Sequence, residues 1–199
     1  MQANVVPSWD EMWALVTDIS DHKECADEFL GGLIDALVNT PATTACLEIG
    51  VYRGGSSILT LWHLLDEAKK RPLITVDDGS AGTYPYMGNW VKEHCPKYPW
   101  KHHVADQHQW LRESLPPGMT FGFVYHDGEH GTNSVLMDVA MIEPLIVPNG
   151  ILVVDDFHQC IPGAAVTQEI ESMGLRRARD IPVRQQWCGE IAFFRKVAQ

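Results

Sequence analysis

The feature that most restricts this chain is a series of short, largely apolar segments separated by longer helical stretches. Residues 45–49, 73–76, 121–125 and 151–154 are too short for helices, and residues 102–105 join them by position. Helical spacing fills the intervals at 56–69, 107–114, 133–142 and 164–173. Strands apolar on both sides need cover on both faces, so the alternation predicts an α/β fold with a doubly wound, mostly parallel sheet. The carboxyl end breaks the pattern. Residues 176–183 and 191–196 read as two strands joined by a short loop, closing a seven-stranded sheet with an antiparallel hairpin.

Ahead of the sheet, apolar residues at Met12, Leu15, Val16 and Ile19, then Phe29, Leu30, Leu33, Ile34 and Leu37, keep helical spacing. Ser8 and Glu11 form a capping-box pattern, so two N-terminal helices are expected, interrupted near Asp21. No repeat or linker divides the 199 residues. One domain is expected, with a helical cap over 1–40 and the α/β core over 41–199. Residues 79–99, rich in Gly, Pro and aromatics, read as a mobile flap near the site.

Net charge is -11. Phosphate backbones call for clustered Lys and Arg, so a nucleic-acid partner is disfavoured and a small molecule favoured. No apolar run reaches the ~20 residues that span a bilayer, and the amino end lacks a signal-peptide pattern. The five cysteines are scattered without a Cys-x-x-Cys pair. Reduced thiols in a cytoplasmic protein are expected, and a homo-oligomer stays open.

The strongest local signal runs from Cys46 through Glu48, Gly50, Tyr52 and Gly54 to Ser56 and Ser57. An apolar strand enters a glycine-rich turn and a helix begins at the serines. Glycines let a ligand approach the backbone, and a helix amino end offers free N–H groups and a positive dipole. The Gly-x-x-x-Gly spacing disfavours a dinucleotide pyrophosphate. Glu48 points the same way, since a carboxylate there suits a cationic ligand. The next strand ends at Asp77-Asp78, where a carboxylate can accept hydrogen bonds from ribose hydroxyls. Asp106 and Gln107 close the following strand and are candidates for reading an adenine.

Residues 47–56, with Gly50, Tyr52, Gly54 and Ser56 in a Gly-x-Tyr-x-Gly-x-Ser pattern, resemble motif I of metal-dependent, catechol-type O-methyltransferases. Ile74-Thr75-Val76-Asp77 is similar to that family's ribose-binding strand. Asp127-Gly128-Glu129-His130 looks closer to bacterial sugar and antibiotic O-methyltransferases of the macrocin type. The resemblance covers about residues 44–156. It implies a Rossmann-like class I methyltransferase whose sheet ends in an antiparallel hairpin, using S-adenosylmethionine. The cofactor would meet Glu48, Gly50, Tyr52, Gly54, Ser56, Asp77, Asp106, Gln107 and Asp127.

Asp127 follows one strand and Asp155-Asp156 another; as sheet neighbours these strands would lie about 4.8 Å apart. Carboxylates this close need a cation or shared protons, and oxygen ligands favour a hard ion such as Mg²⁺. The resemblance implies Asp127, Asp155 and Asp156 as metal ligands gripping a substrate hydroxyl. His130 stands in the slot of the family's general base, with His158 as a second candidate. His102, His103 and His108 invite a zinc reading, which is disfavoured because adjacent residues of one strand point apart. Gly128 and Glu129 replace the bulky residues of catechol enzymes, which moves the expected acceptor toward a sugar or polyhydroxylated product. A metal-independent N- or O-methyltransferase and a non-catalytic nucleotide-binding module are the alternatives.

Overall fold

The computed structural model describes residues 8, 10–11, 14, 26–41, 44–52, 54, 56, 60, 71–80, 84–94, 96–178, 185–186 and 189–198. The strands are β1 (Ala45–Ile49), β2 (Leu73–Asp77), β3 (Trp100–Val104), β4 (Phe121–His126), β5 (Ile146–Val154), β6 (Leu175–Arg177), β7 (Gln185–Gln186), β8 (Gly189–Glu190) and β9 (Ala192–Lys196). The helices are α1 (Ala26–Val38), α2 (Tyr84–His94), α3 (Gln107–Glu113), α4 (Thr132–Ile142) and α5 (Gly163–Ser172). Seven strands form one sheet in the order β3-β2-β1-β4-β5-β9-β6. The first five are parallel, while β9 runs antiparallel to both β5 and β6. The expected Rossmann-like sheet with its closing antiparallel strand is therefore present. The hairpin connection is longer than expected and carries the small β7–β8 ribbon.

Strand order reverses between β1 and β4, which opens a crevice at their carboxyl ends, where such sheets bind ligands. Period-two alternation decides what each face buries. Cys46, Phe123, Tyr125, Val153 and Phe193 pack with Leu33 and Leu37 of α1 on one face. Leu47, Ile49, Val124 and Leu152 pack with Trp110, Val135, Val139 and Ile170 of α3, α4 and α5 on the other. Arg71 ties the two ends of the sheet's entry together. Its guanidinium donates to Thr40 Oγ1 at 2.9 Å and to the Pro41 carbonyl at 2.6 Å, while Tyr98 Oη donates to the Arg71 carbonyl.

The 79–99 segment differs from expectation. It contains α2, and Trp90, Val91 and Tyr98 belong to the α1-side core. Pro85 sits in the first helical turn, where its missing N–H costs nothing, and the two apolar side chains of the later turns anchor the helix. The described later turns belong to the core, where irregular chain was expected. At the amino end, Ser8 and Glu11 make the expected reciprocal cap: Ser8 N donates to Glu11 Oε2 at 2.8 Å and Glu11 N to Ser8 Oγ at 3.3 Å. The second expected N-terminal helix is α1. The body of the first, the break near Asp21 and most of the helix over 56–69 lie outside the described residues.

Candidate active site

β1 delivers Glu48 to a position 1% exposed, where Oε1 accepts a hydrogen bond from Ser56 Oγ at 2.5 Å. Beyond Ile49 the chain turns sharply, with positive φ at Gly50 (81°), Tyr52 (46°) and Gly54 (82°). Gly50 is demanded twice over. Its φ disfavours any side chain, and an added β-carbon would collide with the Asp127 carbonyl oxygen. Asp77 fastens the turn from β2: Oδ2 accepts from Val51 N at 2.8 Å and Tyr52 N at 3.1 Å, and Oδ1 from Gly79 N at 2.7 Å. A carboxylate has about four acceptor positions, so Asp77 keeps capacity for a ligand hydroxyl.

These residues border a cavity of about 410 Å³ at the crevice, lined among others by Gly50, Tyr52, Asp77, Asp106, Gln107 and Asp127. Asp78, Ser80 and Glu129 add polar groups to its wall and Ala105 an apolar one; of these, Ser80 and Ala105 were not singled out by the sequence. Asp106 caps α3, accepting from Gln109 N at 2.8 Å. Gln107 faces a buried polar network: Nε2 donates to Asp138 Oδ2 at 2.6 Å, and Oε1 accepts from Glu129 N at 3.2 Å. The fully buried Asp138 also meets His108 Nδ1 at 2.7 Å and His126 Nε2 at 2.8 Å. Sequence reasoning missed this network, because an acid in the apolar run of α4 signals only with its distant partners in view. The three histidines considered for zinc are apart: His102 Nδ1 meets Thr75 Oγ1 at 2.8 Å, His103 packs on Trp110, and His108 sits on Asp138.

The acidic residues stand beside the cavity. Tyr125 pairs with Val153 across β4 and β5, so Asp127 and Asp155 emerge two residues later on the same face. Tyr125 Oη, fully buried, donates to Asp155 Oδ2 at 3.3 Å. Burial and then the Asp155 charge hold the Asp127 carboxyl well above the usual carboxylate range. Burial and then Asp156 push Asp155 up as well. Burial, reinforced by Asp127 and Asp155, raises the Tyr125 phenol further, which keeps it a donor. Asp156 adopts a left-handed backbone (φ 47°, ψ 34°) and turns toward the histidines instead. His130 Nε2 lies 3.7 Å from Asp127 Oδ1 and 3.9 Å from Asp156 Oδ2, with Nδ1 3.4 Å from the Asp155 carbonyl. His158 is half exposed, its Nδ1 3.8 Å from Asp156 Oδ1.

Among the described residues no group of three or more His, Cys, Asp and Glu is gathered as a metal ion would require. The donor chemistry of the Asp127–Asp155 pair nonetheless fits Mg²⁺, which is commonly held by one or two carboxylates and otherwise by water and substrate oxygens. The raised carboxyls also set a pH dependence. In the unfolded chain both groups lose protons earlier, so the stability they contribute is present in acid and is lost as pH rises through their raised folded values. Chelator-treated protein should lose thermal stability as pH rises from about 4 toward neutrality, and Asp127→Asn should flatten that slope. A variant that melts below the wild type at neutral pH would contradict it.

With fold and site in view, the family follows. A family model described as a methyltransferase domain matches residues 47–157, more than half of the chain, and the chain belongs to that family. No curated protein matches the sequence. Solved structures of similar fold include the O-methyltransferase TomG of Streptomyces achromogenes, involved in tomaymycin synthesis and bound to SAM. It has TM-score 0.64 and 16% identity, covering 98% of this chain and 93% of that one. The SAH-bound methyltransferase PaMTH1 of Podospora anserina has TM-score 0.62 and 15% identity, covering 95% and 87%. The N-methyltransferase NodS of Bradyrhizobium japonicum has TM-score 0.57 and 14% identity, covering 90% and 100%. At these identities the likeness concerns the fold. No helix among the described residues is long and apolar enough to cross a membrane.

Proposed function

We propose that the protein transfers the methyl group of S-adenosylmethionine to a hydroxyl of a small, polyhydroxylated acceptor such as a sugar, with Mg²⁺ at the acidic pair. The observation that carries the reading is the position of His130, within 4 Å of Asp156 and of Asp127, which lines the glycine-turn cavity. Glu48, Gly50, Tyr52, Gly54 and Ser56 form the cofactor's turn, with the buried Glu48 carboxylate suited to the cationic methionine end. Asp77 offers its remaining acceptor positions to the ribose. Asp106 and Gln107 border the adenine end, with Gln107 held rigid by Asp138.

In the reaction the methyl carbon leaves sulfur and bonds to the acceptor oxygen in line, and the hydroxyl proton passes to His130. Asp127 and Asp156 flank the imidazole that receives it. Mg²⁺ held by Asp127 and Asp155 would supply Lewis acidity that lowers the hydroxyl pKa. His158, more exposed, is the second candidate for the proton, and Asp156 is the third candidate ligand. The half-buried rim and dominant negative charge suit a neutral polar acceptor in a cytoplasmic setting.

The test is transfer of labelled methyl from S-adenosylmethionine to a panel of sugars and hydroxylated natural products, with EDTA and then with added Mg²⁺. Activity abolished by EDTA and restored by Mg²⁺ is expected. Full activity in EDTA would favour the metal-independent alternative. Cofactor binding without transfer to any acceptor would favour a non-catalytic module.

A further inference from the structure

The acidic pair rests on a buried hydroxyl for which the proposed reaction has no use. Tyr125 is 1% exposed, in the interior row of the sheet that also carries Glu48 and Val153. From there its ring reaches diagonally across the β4–β5 pair, a span open to aromatic side chains. Its Oη donates to Asp155 Oδ2 at 3.3 Å and also faces the Asp127 carboxylate. A phenylalanine would fill the same core space alongside Phe123 and Phe193. The hydroxyl is therefore not needed to fill the core, and it meets the two carboxyls.

We infer that Tyr125 is a positioning residue for the acidic pair: its hydroxyl occupies one oxygen of Asp155 from beneath and so aims the other oxygen, together with Asp127, at the cation and acceptor above. The inference rests on the metal reading of Asp127 and Asp155. Outer hydrogen bonds of this kind fix the rotamer of a ligating carboxylate, and their loss typically costs 10- to 100-fold in metal affinity or activity. Asp127 follows Tyr125 by two residues, so backbone and side chain set the two ligands' relative placement together.

The experiment uses the full chain with Tyr125→Phe, which removes one oxygen and keeps the ring. Calorimetric titration of Mg²⁺ into chelator-treated protein should show affinity reduced about 10- to 100-fold. The kcat should fall at limiting Mg²⁺ and recover in part at saturation, with KM for S-adenosylmethionine unchanged. Asp155→Asn and the Tyr125→Phe/Asp155→Asn double variant separate orientation from packing. If Tyr125 acts through Asp155, the double variant binds Mg²⁺ no more weakly than Asp155→Asn alone, whereas a packing role makes the losses add. Additive losses, or Mg²⁺ affinity and kcat within about twofold of the wild type for Tyr125→Phe, overturn the inference. Failure of the metal reading looks different: the wild type itself binds no Mg²⁺ and stays active in EDTA. In that case kcat in EDTA decides. A fall at constant KM keeps Tyr125 as the orienter of the two carboxylates, and an unchanged kcat removes it.

Discussion

His130→Ala should lower kcat by about 10²–10⁴-fold, the usual value of a general base, while cofactor and Mg²⁺ affinities stay near those of the wild type. The imidazole is a fifth exposed and lies between two carboxylates, so its removal leaves no buried cavity and the fold should tolerate it. Its contact with the Asp155 carbonyl is long, 3.4 Å, and contributes little to holding the loop. The pH–rate profile sharpens the test. A limb of the wild-type profile should disappear in the variant. If rate and profile both persist, His130 is not the base: a loss in the parallel His158→Ala variant assigns the proton to His158, and no loss there assigns it to water.

The second large effect concerns the turn. Gly50→Ala places a methyl group against the Asp127 carbonyl and forces a non-glycine residue to hold φ of 81°. A left-handed backbone alone costs an L-residue about 1–2 kcal/mol, and displacement of the β4 end adds to that. Stability should fall by at least about 2 kcal/mol in urea unfolding, and S-adenosylmethionine affinity should fall with it, because the same shift moves Asp127 and the turn apart. An unchanged unfolding midpoint with unchanged cofactor affinity would separate Gly50 from the site. Both readouts are needed, since a loss of stability alone would mark Gly50 as merely structural.

Much of this arrangement was legible from residue order. The runs around Leu47, Val124 and Leu152 signalled buried parallel strands because they are apolar on both faces, and Ser8 with Glu11 signalled its cap through a local rule. α2 was not legible. Its glycine, proline and aromatics read as irregular chain, and its helicity depends on Trp90 and Val91 joining the core on the α1 side of the sheet, which local propensity does not report. Site residues next to a strand end, such as Asp77, Asp127 and Asp155, could be marked from topology alone. Tyr125 could have been found by stepping back two positions from Asp127, where a tyrosine in an otherwise apolar row needs a partner for its hydroxyl. The Asp138 network could not, since α3, β4 and α4 meet only in the folded chain.

The way Asp77 grips the turn bears on how the cofactor arrives. Val51 N and Tyr52 N are held by its carboxylate, Gly50 N donates to the Val76 carbonyl at 2.8 Å, and Gly54 N to the Val51 carbonyl at 2.7 Å. The described part of the loop is thus held by the chain's own hydrogen bonds. Association then demands little ordering of the chain, so the entropic toll falls mainly on the ligand's own torsions. Encounter should be fast, and preferences among related nucleosides would be expressed through their departure rates. A donor carrying a sulfonium and a spent product lacking it would differ mainly in how long each stays.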